Sequence, residues 1–106
     1  MEVILTSTDF IPNKKISKIL GLVRGNTIRA RHIGWDIAAI FKNIIGGEIK
    51  SYTELMTQAR EEALNRMANE AKKLNADAVI NIRFMTSEIM SGTSEVLAYG
   101  TAVKLS

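Results

Sequence analysis

The sequence has no cysteine, and that absence removes several chemistries at once. Disulfides cannot form, no thiolate can hold a soft metal, and no thiol can act as a nucleophile. A disulfide-free chain is compatible with a reducing cytoplasm, which is the expected location. Histidine occurs once, at His32. A cysteine triad lacks its nucleophile and a serine triad lacks sequence context, so the expectation is a protein that is not an enzyme. Long hydrophobic runs are missing too. No apolar stretch approaches the roughly 20 residues needed to cross a bilayer. The opening Met1-Glu2-Val3-Ile4-Leu5-Thr6 has no basic region and does not read as a signal peptide.

What is present is ordinary for a globular domain. Hydrophobic residues make up 46% and charged residues 24%, which excludes the disordered and collagen-like classes. The 106 residues suit one domain, spanning 1–106, with a thin core. The net charge is +3. Its nearest approach to a basic cluster is Lys14, Lys15 and Lys18, followed by Arg24, Arg29 and Arg31. Without a binding motif this reads as a solvated strand edge, where cations also discourage edge-to-edge pairing. Neither nucleic acid nor membrane is expected as a partner.

The hydropathy pattern predicts the order β–α–α–β–β. Val3 to Leu5 is a short strand, broken at Asp9-Phe10-Ile11-Pro12-Asn13 by a proline that cannot donate to a ladder. Ile16 to Ile28 is a long strand in which Gly21 and Gly25 suggest a bulge or a close backbone approach. Asp36 to Ile45 reads as a short helix with Ile37, Ile40, Phe41, Ile44 and Ile45 on one face, stopped by Gly46-Gly47. A long helix begins with a capping box over Ser51 to Glu54 and runs to about Leu74. Its stripe is Met56, Ala59, Ala63, Met67, Ala71 and Leu74, its opposite side carries Glu62 and Arg66 at i, i+4, and Asn75 is the expected C-cap.

Two strands close the chain, 78–90 and 95–105, around a turn at Ser91-Gly92-Thr93-Ser94. Simple alternation puts Ile80, Ile82 and Phe84 together on one face. The fold class is therefore α+β: a two-layer sandwich of a three-stranded antiparallel sheet, one long helix and one short one. One amphipathic helix covers one side of a sheet. The hairpin is apolar on both sides, so the second face or the short helix is expected to lie against another copy of the chain.

Candidate site residues are few. Glu61, Glu62, Asp77 and Glu88 are the carboxylates that would serve as acid or base if buried, although Asp77 is better placed to bond backbone amides in a turn. Gly46-Gly47 before a helix has the form of an anion cradle but lacks the lysine and hydroxyl of a P-loop, so a helix stop is preferred. Tyr52 and Arg60, with Asp77 and Glu88, are the candidates for a ligand pocket at a subunit boundary. Trp35 is read as an interface anchor. Met56, Met67, Met85 and Met90 are read as core filling. No cofactor is expected.

The segments Gly21-Leu22-Val23-Arg24-Gly25-Asn26, Gly46-Gly47 followed by Tyr52, Ala59-Arg60 with Ala63, Ala76-Asp77-Ala78-Val79 and Gly100-Thr101-Ala102-Val103 together resemble the UPF0145, or YbjQ-like, family. The resemblance spans nearly the whole chain. It implies a dodecin-like β–α–β–β subunit, a ring-shaped homopentamer, and a heavy-metal-binding label whose function is uncharacterised. Against that label the chain offers one imidazole. His32 and Asp36 are the candidate metal ligands, at i, i+4 only if the short helix begins before Asp36, and a ring would repeat the one His around its axis. The functional expectation is a self-assembling binding or scaffolding domain, with a small-ligand or metal-ion protein as the alternative and an enzyme using a carboxylate and Arg60 as the third.

Overall fold

The described residues form four strands and one helix: β1 Ile4–Leu5, β2 Ile16–Ala30, α1 Glu48–Lys73, β3 Ala78–Met90 and β4 Thr93–Leu105. The computed structural model describes residues 2–30 and 48–106, with side chains for 2–29 and 53–106. The expected short helix at 36–45, the Gly46-Gly47 stop, His32, Trp35 and Asp36 lie outside the described residues.

The sheet runs in the order β1-β3-β4-β2. β4 pairs antiparallel with both β2 and β3, as the two-residue Ser91-Gly92 turn requires. β1 pairs parallel with β3, so the sheet has four strands and is mixed rather than three-stranded and antiparallel. The reason lies in the outer edge of β3. Ile4 and Thr6 donate their amides to the carbonyls of Asp77 and Val79 at 3.0 Å, and Ile82 donates back to Thr6 at 3.1 Å. Backbone groups on an exposed edge are satisfied by the nearest extended segment, and here that segment comes first in the chain.

Two details of the strands also differ from simple alternation. The turn is shorter than expected, because Met90 already pairs with Thr93 and Gly92 takes φ 75°. In β3 the register slips between Ile80 and Arg83, and Asn81 sits at φ 55°. An extra residue reverses which side the following side chains face. Ile82 accordingly joins the helix-side core with Val79, while Ile80 packs on the opposite face with Ala78 and Val103. Phe84 shares the helix side but is exposed, since α1 lies over β2 and β4 and barely reaches β3.

The helix begins earlier than the capping box implies. Glu48 is already helical, so Ser51 lies within α1 and cannot act as its N-cap. The far end behaves as expected. Asn75 adopts φ 59°, Ala76 donates to Ala71 at 3.1 Å and Asn75 to Lys72 at 3.0 Å, a Schellman closure. That closure ends the buried stripe one step early. Met56, Ala59, Ala63, Met67 and Ala71 are buried, but Leu74 is exposed beside β2. Met85 and Met90, expected in the core, are exposed on the hairpin instead.

The core is the seam between α1 and the sheet. Alanines at 59, 63 and 71 let the helix sit low on Val23, Val96, Ala98 and Ala102. The closest approach is at Gly25, where a Cβ would strike the Met67 amide and the Ala63 carbonyl. Both obstacles are backbone and cannot rotate away. Gly25→Ala should therefore lower stability by about 2–3 kcal/mol or more, the cost of forcing packed layers apart. Urea unfolding measures it; a variant as stable as the parent would refute the tight seam.

Candidate functional site

Polar side chains converge at three places, each built by a different part of the fold. The first lies where α1 crosses the edge strand β2. Glu62 takes one guanidinium from Arg29 at 2.5 Å and another from Arg66 at 2.8 Å. Arg66 also donates to the Asn26 carbonyl at 2.6 Å, and Arg29 reaches the Ile28 carbonyl at 3.4 Å. Asn26 and Ile28 are two apart, so their carbonyls point the same way, off the free edge of β2. The clamp thus holds helix to strand and occupies edge acceptors that would otherwise pair with another chain. The Arg29 hydrogen bond, then the Arg66 charge, hold the Glu62 carboxyl below its ordinary value of 4.5.

The second is Asp77, between the helix end and β3. Its carboxylate accepts the Leu105 amide at 2.8 Å and the Lys104 ammonium at 3.4 Å, while Lys104 also donates to the Asn75 carbonyl at 2.9 Å. The expectation of backbone amide bonding holds, but the amide comes from β4 rather than from the local turn. The Leu105 hydrogen bond is the main reason the Asp77 carboxyl lies below 3.8. A carboxylate so held stays ionised and is a poor proton acceptor at neutral pH.

The third is the side of the sheet away from α1. Val23, Val96 and Ala98 pack on the helix and Thr27 bonds the Ala59 carbonyl, so Leu22, Arg24, Asn26 and Ile28 must face the other way. Cross-strand partners share a face. Leu22 thus lies beside Thr101, and the rows Arg24–Tyr99–Arg83 and Asn26–Leu97–Met85 run across β2, β4 and β3. Ile11 covers one end of this face, against Ala78, Ile80 and Val103. Arg83 latches that segment through the Ser7 carbonyl at 3.0 Å. The rest is open.

The sequence candidates do not converge. Arg60 bonds Thr57 at 3.4 Å and no carboxylate among the described residues. Glu88 is exposed on β3, about 35 Å of strand from Asp77. Tyr52 is helical, but its side chain lies outside the described set. Among the described residues no three His, Cys, Asp or Glu side chains gather as a metal site.

What sequence reasoning passed over is a groove on the outer edge of β2. Arg24, Asn26, Arg66, Asn69, Glu70 and Lys73 line a volume of about 660 Å³. A second groove of about 520 Å³ shares Arg24, Glu70 and Lys73 and adds Leu22 and Leu74. Arg24 has no hydrogen bond or ion pair within the described set. The signal was available: β2 alternation sets Arg24 on the face of Leu22, and Arg66, Asn69 and Lys73 follow helical spacing.

The two lowered carboxyls fix an acid response. Each binds its proton less readily folded than unfolded, so unfolded chains protonate first as pH falls. The stabilisation is complete above the ordinary values of 4.5 and 3.8 and is lost as pH drops through the lower folded values. Thermal melting between pH 7 and 2 should fall in that window, and Glu62→Gln should flatten the drop. An unchanged profile in that variant would refute the clamp.

Comparison with known proteins places the chain. The family model described as "Putative heavy-metal-binding", YbjQ, matches residues 3–106. A UPF0145 protein of Archaeoglobus fulgidus is 60% identical over 104 residues, covering 98% of this chain and 96% of that one. One from Thermosipho melanesiensis is 58% identical over 102 residues, covering 96% and 94%. In fold, the chain is similar to a crystal structure of a protein of unknown function from Pediococcus pentosaceus, with a TM-score of 0.67, 18% identity and 98% of each chain covered. Sequence and fold agree over the whole described length, and the chain belongs to the YbjQ (UPF0145) family.

Proposed function

We propose that this chain is a non-enzymatic, self-assembling cytoplasmic domain that binds or scaffolds as a homo-oligomeric ring. A dodecin-like subunit and a pentamer are the arrangement that the family resemblance suggests. The carrying observation is the open sheet face. Ile19, Leu22, Ile28 and Met85 lie on it with 68%, 66%, 56% and 53% of their surface exposed. Large apolar side chains this exposed on one sheet face, interspersed with polar ones, point to an interaction surface.

The shape supports the same reading. The radius of gyration is 17.2 Å and the long axis 54 Å, against about 13 Å for a compact domain of this length. The long strands β2, β3 and β4 are covered on one side by α1 and carry exposed apolar side chains on the other. A sheet face of that kind gains cover from a neighbour of matching surface.

The alternative reading, a metal-ion or small-ligand protein with sites between subunits, takes its metal version from the family label. Donors for a metal would have to come from His32, Asp36 or a second subunit. Metal analysis of purified protein, together with thermal shifts across a divalent panel, tests that version.

Native mass spectrometry and light scattering at micromolar concentration should give a multiple of 11.7 kDa. Leu22→Asp and Met85→Asp, introduced together, should reduce that mass while preserving far-UV helix and strand signals. A stable 11.7 kDa species from the unaltered chain would overturn self-assembly.

A further inference from the structure

We propose that the groove on the outer edge of β2 binds a phosphate-bearing small molecule, with its anion at Arg24 and an apolar or planar portion on Leu22 and Leu74. The inference places a small-molecule site within one subunit, unlike the between-subunit sites of the alternative reading, and does not need the ring. Three cations, Arg24, Arg66 and Lys73, meet one carboxylate, Glu70, around the larger groove. That excess suits a multiply charged anion better than a single carboxylate.

The roles divide by what each group already holds. Arg66 is committed to Glu62 and the Asn26 carbonyl. Lys73 holds Glu70 at 2.9 Å, but both side chains are largely in solvent, so the pair is weak and its lysine is free to turn. Arg24 is uncommitted within the described set. Its guanidinium supplies a planar, two-pronged donor matched to phosphate oxygens. Backbone adds to it. Because the Asn26 and Ile28 carbonyls face the free edge, the amides of Arg24 and Asn26 face it as well. The Asn69 side-chain amide closes the rim.

Size decides between a bare anion and something larger. Phosphate alone leaves most of 660 Å³ empty, and the adjoining 520 Å³ groove opens from the same Arg24 and Lys73 onto Leu22 and Leu74. Cationic pole and apolar shelf are contiguous, the pattern of an oriented small-molecule site. By contrast, the groove at the helix end lined by Lys72, Asn75, Asp77 and Lys104 has no arginine, and its Lys104 is already bound to Asn75 and Asp77.

Titration calorimetry at low salt, with ATP, inorganic pyrophosphate and adenosine as probes, tests the assignment. ATP should bind, pyrophosphate more weakly, and adenosine not at all. Arg24→Gln and Lys73→Gln should each weaken ATP binding about tenfold, Glu70→Gln should strengthen it, and Arg83→Gln, across the sheet, should leave it unchanged. Circular dichroism establishes that each variant is folded, and the lysine variant serves if the arginine variant is not. Absence of ATP and pyrophosphate binding at millimolar concentration, or wild-type binding by both the Arg24 and Lys73 variants, overturns the proposal. Native mass spectrometry separates this from assembly: an intact oligomer without retained ATP sinks the groove alone, and a monomer retaining ATP sinks the ring alone.

Discussion

The descent of α1 onto β2 at Gly25 is the contact on which the other arrangements rest. With no side chain there, the helix backbone at Ala63 and Met67 settles directly against the strand. Only at that depth can Thr27 reach the Ala59 carbonyl and Arg66 the Asn26 carbonyl, at 3.0 and 2.6 Å. The contact also decides what stays uncovered. A helix seated over β2 and β4 covers β3 only near Val79 and Ile82 and does not touch the far side of the sheet. Core and exposed surface are therefore two results of one placement.

Coverage of the far side is partial and comes from the chain's own beginning. Ile11 packs on Ala78, Ile80 and Val103, and Arg83 fixes the same segment through Ser7. Beyond that, apolar Leu22, Leu97 and Met85 alternate with Arg24, Asn26 and Arg83. Such a mixture suits an interface with a polar component rather than a buried core. The Arg29–Glu62–Arg66 clamp meanwhile blocks β2 at Asn26 and Ile28, so pairing through that stretch of the edge is discouraged while the broad face is left available.

The sequence was informative wherever one physical rule acted alone. Helical spacing of Met56, Ala59, Ala63, Met67 and Ala71 identified the buried stripe, and alternation in β4 identified Val96, Ala98, Gly100 and Ala102 as one inward set. Asn75 announced the helix end. Errors arose where a long-range partner intervened. β1 became a paired strand because the edge of β3 had unmet backbone groups, and no local pattern encodes that. The bulge at Asn81 has no composition signal, yet it separates Ile80 from Ile82. Ser51 to Glu54 has the letters of a cap, but Glu48 is already helical and three residues of that helix precede it. The two halves of the candidate groove were each legible, Arg24 in strand alternation and Arg66, Asn69 and Lys73 in helical spacing, but their meeting depends on α1 lying along β2.

The bulge at Asn81 divides β3 into two reading frames. Before it, Val79 looks toward the helix; after it, Ile82 does, and the odd-numbered rule has become an even-numbered one. Two residues, Asn81 and Ile82, stand opposite Gly100 alone, so removing one of them would restore regular pleating with Arg83 still opposite Tyr99 and every later side chain on its present face. The extra residue therefore leaves the outer half of the hairpin oriented as it is and acts locally, as a bend and added twist where the hairpin passes the helix.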